Sequence, residues 1–217
     1  MKNSKLVWLL SLLLVVGLFL AACGGDDEAK ETPANEPATE TDGEKEDDGA
    51  EEATLDEEQV LNLIMGSEIP TLDSALVTDS VGFDLLNNVN EGLYRLNQEN
   101  VAVPAIADGE PTISEDGLVY TFKLRDANWS DGSPVTANDF EFAWKRAMNP
   151  DTASEYGPYM MEGVIANASK IVAGEVEYTE LGVKALDEKT LEVTLEKPVP
   201  YFLSLMSFGT FLPQKEE

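Results

Sequence analysis

The sequence predicts a mixed α/β fold, of the α/β or α+β class, in which helices and strands interleave and some strands are antiparallel. Apolar residues alternate over 118–124, as they do in a half-buried strand. A capped, amphipathic stretch over 137–148 indicates a helix. Two short apolar runs, 183–186 and 190–195, flank a polar turn at 187–189 and therefore predict a hairpin, which joins antiparallel strands.

Short patterns place the first elements of the folded part. The apolar run 60–65 is typical of a buried strand, and 71–74 is typical of a turn. Ser80 is a candidate N-cap for a helix that would end at Gly92. The apolar face of that helix would include Phe83, Leu86 and either Val89 or Asn90. Residues 93–96 follow as an extended segment.

The helix predicted over 137–148 has the clearest local signals. Thr136 is a suitable N-cap, and Asp139 three residues later gives a start that resembles a capping box. Glu141 and Lys145 form an i,i+4 pair in the favourable order. The residues that would face the core are Phe140, Ala143, Trp144 and Ala147.

Two further segments are predicted to be architectural. Trp129 and Trp144 are expected to anchor the core rather than to contact a ligand. Asp131-Gly132, followed by Pro134, predicts a tight turn that leads into the helix. The apolar run 199–208, which begins between two prolines, predicts another helix.

The first 22 residues have the layout of a secretory signal. Lys2 and Lys5 precede a largely apolar run, 6–20, and Leu20-Ala21-Ala22-Cys23 resembles a lipobox. The resemblance implies cleavage before Cys23 and a diacylglycerol on its thiol. A transmembrane helix is the alternative, but it needs ~20 apolar residues and fits the small-residue exit less well.

Residues 23–58 are predicted to form a disordered acidic tether after the lipidated cysteine. From Asp26 to Glu58 the segment contains no aromatic residue, one large aliphatic side chain, Leu55, and many more carboxylates than lysines. Such a composition cannot bury enough apolar surface to offset the entropy of ordering, and like charges extend it. A solvated spacer is favoured over a segment that binds cations or a basic partner.

Composition narrows the range of functions. The chain of 217 residues has a net charge of −28, which argues against nucleic acid as a partner. It has no histidine, so it lacks the commonest general base and metal ligand, and its one cysteine leaves no thiol nucleophile in the body. No cofactor motif and no metal site are predicted, and the chain is not expected to be an enzyme.

One long block, 120–140, strongly resembles the signature region of the family 5 extracellular solute-binding proteins, the oligopeptide-, dipeptide- and nickel-binding receptors of ABC importers. Shorter blocks that resemble the family occur in the same order along the chain, at 72–73, 91–93, 149–154, 182–187 and 196–202. The blocks at 153–154 and 182–187 resemble the oligopeptide branch.

The resemblance implies a periplasmic-binding-protein-like, two-lobed fold of class II type that closes on a ligand by hinge motion. It implies an oligopeptide ligand, contact with the importer's permease subunits, a monomeric state and no cofactor. Carried over to this sequence, the loop Thr78, Asp79, Ser80 and the side chain of Tyr156 would contact the peptide. The family often has an acidic residue near Thr78, which this chain lacks there. Surface packing is the alternative for Tyr156.

Members of the family are more than twice as long, which predicts that the second large lobe is missing and that the fragment cannot close on a ligand as a full receptor does. Residues 59–97 would begin lobe I, 98–197 would form a small domain, and 198–217 would begin the return into lobe I. The expected function is capture of extracellular peptides at the outer face of the bacterial cell membrane. Alternatives are a lipid-anchored enzyme or interaction protein, and a receptor for dipeptides or another small solute.

Overall fold

A computed structural model describes Val60 and residues 62–216 of the chain. The predicted signal peptide, Cys23 and the acidic tether lie outside the described residues. The helices are α1 (Ser80–Val89), α2 (Ala137–Met148), α3 (Tyr156–Met161), α4 (Ala168–Val172) and α5 (Phe202–Leu205). The strands are β1 (Tyr94–Leu96), β2 (Ala102–Pro104), β3 (Thr112–Ile113), β4 (Val119–Lys123), β5 (Val183–Asp187) and β6 (Thr190–Thr194). Short 3₁₀ turns occupy Pro150–Thr152, Tyr178–Glu180 and Gly209–Phe211.

Four strands form an antiparallel sheet in the order β3-β4-β6-β5, and β1 pairs with β2 in a separate antiparallel ribbon. In the central pair, Tyr120 lies opposite Val193 and Phe122 lies opposite Leu191. All four side chains are buried, because alternate residues of each strand point to the same face. The predicted strand and the hairpin of β5 and β6 are confirmed.

Helix α2 packs on the hairpin and has the predicted bounds. The Asp139 carboxylate accepts hydrogen bonds from the Thr136 backbone N–H at 2.7 Å and from its hydroxyl at 3.0 Å. The Lys145 ammonium lies 2.6 Å from the Glu141 carboxylate. Its predicted core-facing residues are buried, so both the cap and the face of this helix are confirmed.

The two tryptophans differ in their surroundings. Trp144 is fully buried, and its indole N–H donates to the Phe211 carbonyl at 2.9 Å. Trp129 is half-buried and packs against the edge of the same core. The turn that follows it is formed as predicted, with the Gly132 N–H donating to the Trp129 carbonyl at 2.9 Å and a positive φ of 85° at Gly132.

Two predictions near the start of the described residues are wrong. No strand forms over 60–65 within the described residues, and Ile64 is 100% exposed. The composition suits a strand, but none of the described strands pairs with this run. Helix α1 is capped by Asp79 rather than by Ser80, because the Asp79 carboxylate accepts from the Gly82 N–H at 2.8 Å, and the helix ends at Val89 rather than near Gly92.

The helix predicted over 199–208 is also wrong in its extent, since only Phe202–Leu205 is α-helical. The Ser207 hydroxyl donates to the Ser204 carbonyl at 2.7 Å, a local bond that competes with helix continuation. The chain then turns through Gly209–Phe211 and buries Phe211 beside Trp144.

A polar cluster joins three distant parts of the fold. The Arg146 guanidinium donates to both carboxylate oxygens of Asp73, at 2.6 and 2.8 Å. The Gln214 amide N–H₂ donates to Asp73 at 2.9 Å and to the Ser74 hydroxyl at 2.8 Å. The hydrogen bond from Arg146 is the main cause that holds the pKa of Asp73 below its usual range. The cluster therefore ties residues 73–74, α2 and the last described residues together.

We expect Asp73→Asn to lower the free energy of unfolding by about 1–2 kcal/mol at neutral pH, because the charged hydrogen bonds are lost. The pKa of Asp73 is lower in the folded state, so its contribution is present above the unfolded pKa of about 3.9 and is lost as pH falls through the folded pKa. The difference between wild type and Asp73→Asn should therefore shrink between ~pH 5 and ~pH 2, measured by urea unfolding.

A double variant provides the control for this prediction. Arg146→Met should add little to Asp73→Asn, because both substitutions break the same interaction. Additive losses, or a difference from wild type that does not depend on pH, would contradict the proposed role of Asp73.

Candidate functional site

The loop predicted to contact a ligand precedes α1. The side chains of Thr78 and Ser80 are exposed, whereas Asp79 is half-buried and caps the helix. The structure thus gives Asp79 an architectural role that the sequence interpretation missed. A single N-cap of this kind typically stabilises a helix by about 1 kcal/mol.

Tyr156, the other predicted ligand-contacting residue, is the first residue of α3 and is half-buried. Its ring meets Phe83 edge-on, with ring centroids 5.6 Å apart, and meets Phe208 at 5.1 Å. Tyr159 lies one turn further along α3, with its ring centroid 6.0 Å from that of Tyr156 and its side chain 77% exposed. We call these four residues the aromatic face.

The aromatic face brings the two predicted parts of the site together. Phe83 lies one helical turn after Ser80 on α1 and contacts Tyr156 on α3. Phe83 was predicted only as part of the apolar face of its helix, and Phe208 only as part of an apolar run. Apolar side chains at a candidate site have the same sequence pattern as core residues, so no local signal distinguishes the two.

Two glycines allow the close packing that fixes this face. A Cβ on Gly157 would lie 2.0 Å from the Ala147 carbonyl oxygen, so α3 can approach the end of α2 only with glycine here. The Gly157 N–H also donates to the buried Ser154 hydroxyl at 3.0 Å. A Cβ on Gly209 would lie 2.4 Å from the Phe83 ring, which rests directly on that part of the backbone.

A groove of about 440 Å³ adjoins the aromatic face. Its apolar lining comes from Phe83, Leu96, Met160, Leu205 and Phe208, and its polar lining includes Ser80 and Asp84. A second hollow, of about 290 Å³, lies beside Glu155, Tyr156 and Tyr159. The combination of aromatic rings and a few polar groups suits noncovalent binding of an organic ligand.

Two larger hollows lie away from these residues. One, of about 550 Å³, runs along the solvent side of α2, and the other, of about 630 Å³, lies between 86–91 and 127–130. The cations at the first are already engaged, Lys145 by Glu141 and Arg146 by Asp73. Neither hollow is lined by residues 78–80 or by Tyr156, so we take the aromatic face and its groove as the candidate site.

Over Val60 and 62–216, no group of three or more carboxylate, histidine or cysteine side chains is arranged to hold a metal ion. No helix in that part of the chain is long and apolar enough to cross a membrane.

Comparison with known proteins identifies the protein family of this chain. The profile of the bacterial extracellular solute-binding proteins, family 5 (middle region), matches residues 101–216, more than half of the chain. The fold agrees with this, since the chain resembles a solved structure described as Listeria monocytogenes OppA bound to peptide, with a TM-score of 0.69 and 48% identity. That match covers 74% of this chain and 31% of the other. The chain therefore belongs to the family 5 extracellular solute-binding proteins.

Two curated relatives of this chain differ in the ligand that their names give. The periplasmic oligopeptide-binding protein OppA of Escherichia coli is 43% identical over 154 residues, covering 70% of this chain and 28% of the relative. The probable deoxycholate-binding periplasmic protein YgiS of Escherichia coli is 36% identical over 214 residues, covering 98% of this chain and 35% of the relative. The chain thus spans about a third of the length of these relatives.

These comparisons confirm the family resemblance and the predicted fold for the part that the chain covers. The family comprises substrate-binding proteins, and the relatives' names describe proteins of the periplasm, which supports a location outside the cytoplasm.

Proposed function

We propose that this chain belongs to the solute-binding component of an ABC importer that captures extracellular oligopeptides and delivers them to the permease. The aromatic face, with the loop at 78–80, would form one wall of the peptide site. The observation that carries the proposal is the contact between Phe83 and Tyr156, which links the two sequence positions expected to contact a peptide. The peptide-bound relative at 48% identity supports the same ligand class.

The chemistry of this wall suits a peptide of variable sequence. Ser80 and Thr78 present exposed hydroxyls that can hydrogen-bond to a peptide backbone. Tyr156 and Tyr159 offer rigid rings with polar ends, which contact many kinds of side chain at a small entropic cost. Asp79 would act indirectly, by capping α1 and so fixing the position of Ser80 and Phe83.

The proposed ligand contact can be tested by replacing Tyr156 with alanine. We expect this change to weaken binding of short peptides about tenfold, equivalent to about 1.4 kcal/mol, because the ring forms the centre of the wall. The measurement is an NMR chemical-shift titration of the full chain in a mild detergent with tetrapeptides. Detergent without protein is titrated in parallel, so that partitioning of the peptide is subtracted.

Tyr201→Ala is the matched control for this experiment, since Tyr201 is an exposed tyrosine that lines neither the groove nor the hollow beside Tyr156. Its affinity should equal that of wild type. Equal affinity in wild type and Tyr156→Ala, or shift changes confined to another surface, would refute the proposed site.

We further propose that the chain is a monomeric lipoprotein, anchored through Cys23 on the outer face of the cell membrane with 23–58 as a spacer. Two acyl chains give stable anchoring where one gives only marginal binding. Residues 59–97 would begin lobe I, 98–197 would form the small domain, and 198–217 would return to lobe I.

Cys23→Ser should abolish incorporation of an alkyne-labelled fatty acid, because the chain has no other cysteine to carry the lipid. The experiment compares labelling and membrane fractionation in a bacterium that processes lipoproteins. An uncleaved, unlabelled wild-type chain that stays in the membrane would instead support a transmembrane helix.

A dipeptide or another small solute remains the alternative ligand, and the relationship to a probable deoxycholate-binding protein gives this alternative a specific form. Dipeptides and deoxycholate therefore belong in the same titration. Tighter binding of either one than of tetrapeptides would overturn the oligopeptide assignment while leaving the solute-binding class intact. Hydrolysis of the peptides would favour the enzyme alternative.

A further inference from the structure

The groove beside the aromatic face has an apolar floor. The rings of Phe83 and Phe208 lie with their centroids 4.8 Å apart and tilted by 49°. Leu96, Met160 and Leu205 extend this surface. Leu96 is 47% exposed, although it lies at the end of a strand, so the apolar lining is open to a ligand.

The charged lining of the groove is acidic. Asp84 is the one charged residue among those that line it, and the Asp84 side chain is exposed. The other polar groups there, including Ser80, Asn87 and Ser204, are neutral. A ligand carboxylate in the groove would face Asp84 with no lining cation to compensate, and like charges at close range are unfavourable.

We propose that this groove is a specificity pocket that selects a peptide with a large apolar side chain, aromatic or long aliphatic, and rejects an acidic one. Phe208 sets the apolar preference, and Asp84 sets the rejection of Asp and Glu. The inference rests on the proposed peptide-binding function, and it narrows the expected ligands to peptides that carry a large apolar side chain.

The dimensions of the groove agree with this occupant. A volume of about 440 Å³ falls within the ordinary range of small-ligand sites. Gly209 lets the Phe83 ring lie flush with the backbone, where a side chain would displace it. A volume of about 440 Å³ is large enough for one bulky side chain.

The test uses tetrapeptides that are identical except at one residue, which is Phe, Leu, Ala or Glu, placed in turn at each of the four positions. Each peptide is titrated against the full chain in detergent by NMR. At one position we expect the Phe and Leu peptides to bind ~5- to 10-fold more tightly than the Ala peptide, because apolar surface leaves water. The Glu peptide should bind more weakly than Ala.

Three variants separate the two determinants. Phe208→Ala should reduce the Phe/Ala affinity ratio toward one, and Phe208→Leu, which keeps the pocket filled, should preserve part of it. Asp84→Asn should raise the affinity of the Glu peptide to that of the Ala peptide and leave the Phe/Ala ratio unchanged. Tyr201→Ala is the control and should change neither ratio.

The outcomes distinguish this inference from the proposed function. If no peptide of any sequence perturbs the aromatic face, the proposed peptide site is wrong and the specificity pocket is wrong with it. If peptides bind there with equal affinity whatever the varied residue, or if Phe208 and Asp84 variants leave the ratios unchanged, the function stands and the specificity pocket is refuted.

Discussion

Trp144→Ala is expected to lower the free energy of unfolding by about 3–5 kcal/mol, the range typical of truncating a fully buried tryptophan. Trp144 is 0% exposed, and its ring meets Phe211 edge-on at a centroid distance of 5.1 Å. Its indole N–H donates to the Phe211 carbonyl, 67 residues away in sequence. Alanine would leave a cavity and an unpaired buried carbonyl, and it would release the segment that carries Phe208.

The measurement is chemical unfolding followed by far-ultraviolet circular dichroism, because fluorescence would itself change with the tryptophan. Trp144→Phe keeps most of the ring but loses the hydrogen bond, so its loss should be smaller, about 1–2 kcal/mol. Trp129→Ala removes a tryptophan that is only half-buried and should also cost less. A loss below about 1 kcal/mol in Trp144→Ala would contradict its central role in the core.

Gly157→Ala is expected to lower the free energy of unfolding by about 3 kcal/mol, at the upper end of what one added methyl group costs. The new Cβ would lie 2.0 Å from the Ala147 carbonyl oxygen and 2.7 Å from its carbon. Both atoms belong to the backbone of α2, so they cannot move aside as a side-chain end can. Helix α3 would have to shift, and Tyr156 would move away from Phe83 and Phe208.

Unfolding and the peptide titration measure the two effects of this substitution separately. Gly66→Ala is the matched control, because a Cβ at Gly66 meets nothing within 4 Å. We expect Gly157→Ala to lose stability and to bind peptide at least as weakly as Tyr156→Ala. Wild-type stability in Gly157→Ala would show that α3 and α2 are not packed as described.

Elements whose structure depends on local interactions could be predicted from the sequence. Helix α2 was predicted correctly because its cap, its charge pair and its buried face all lie within fourteen residues of the chain, 136–149. The hairpin of β5 and β6 was predicted for the same reason, since its strands are neighbours in sequence. The predicted N-cap of α1 was wrong by one residue, because Asp79 and Ser80 are both residue types that cap helices well. Only the observed hydrogen bond distinguishes them.

Features that depend on contacts between residues distant in sequence could not be predicted from the sequence. The run 60–65 has the residues of a strand, but a strand forms only when another lies beside it, and sequence composition cannot show that. For the candidate site, the family resemblance pointed to Tyr156 and the loop at 78–80. It did not indicate Phe208, which reaches Tyr156 across 52 residues and resembles core side chains in its pattern. The requirement for glycine at 157 likewise depends on a contact with α2 that no local motif encodes.

A peptide bound to this protein should lie against the aromatic face. The most direct test of this contact is an isotope-filtered NMR experiment on the full chain with a bound tetrapeptide that contains phenylalanine. We expect intermolecular nuclear Overhauser effects from the peptide ring to Phe83 and Phe208, and from the peptide to Tyr156. Contacts from the bound peptide to the outer side of α2 near Tyr178, with none to Tyr156 or Phe208, would contradict this expectation.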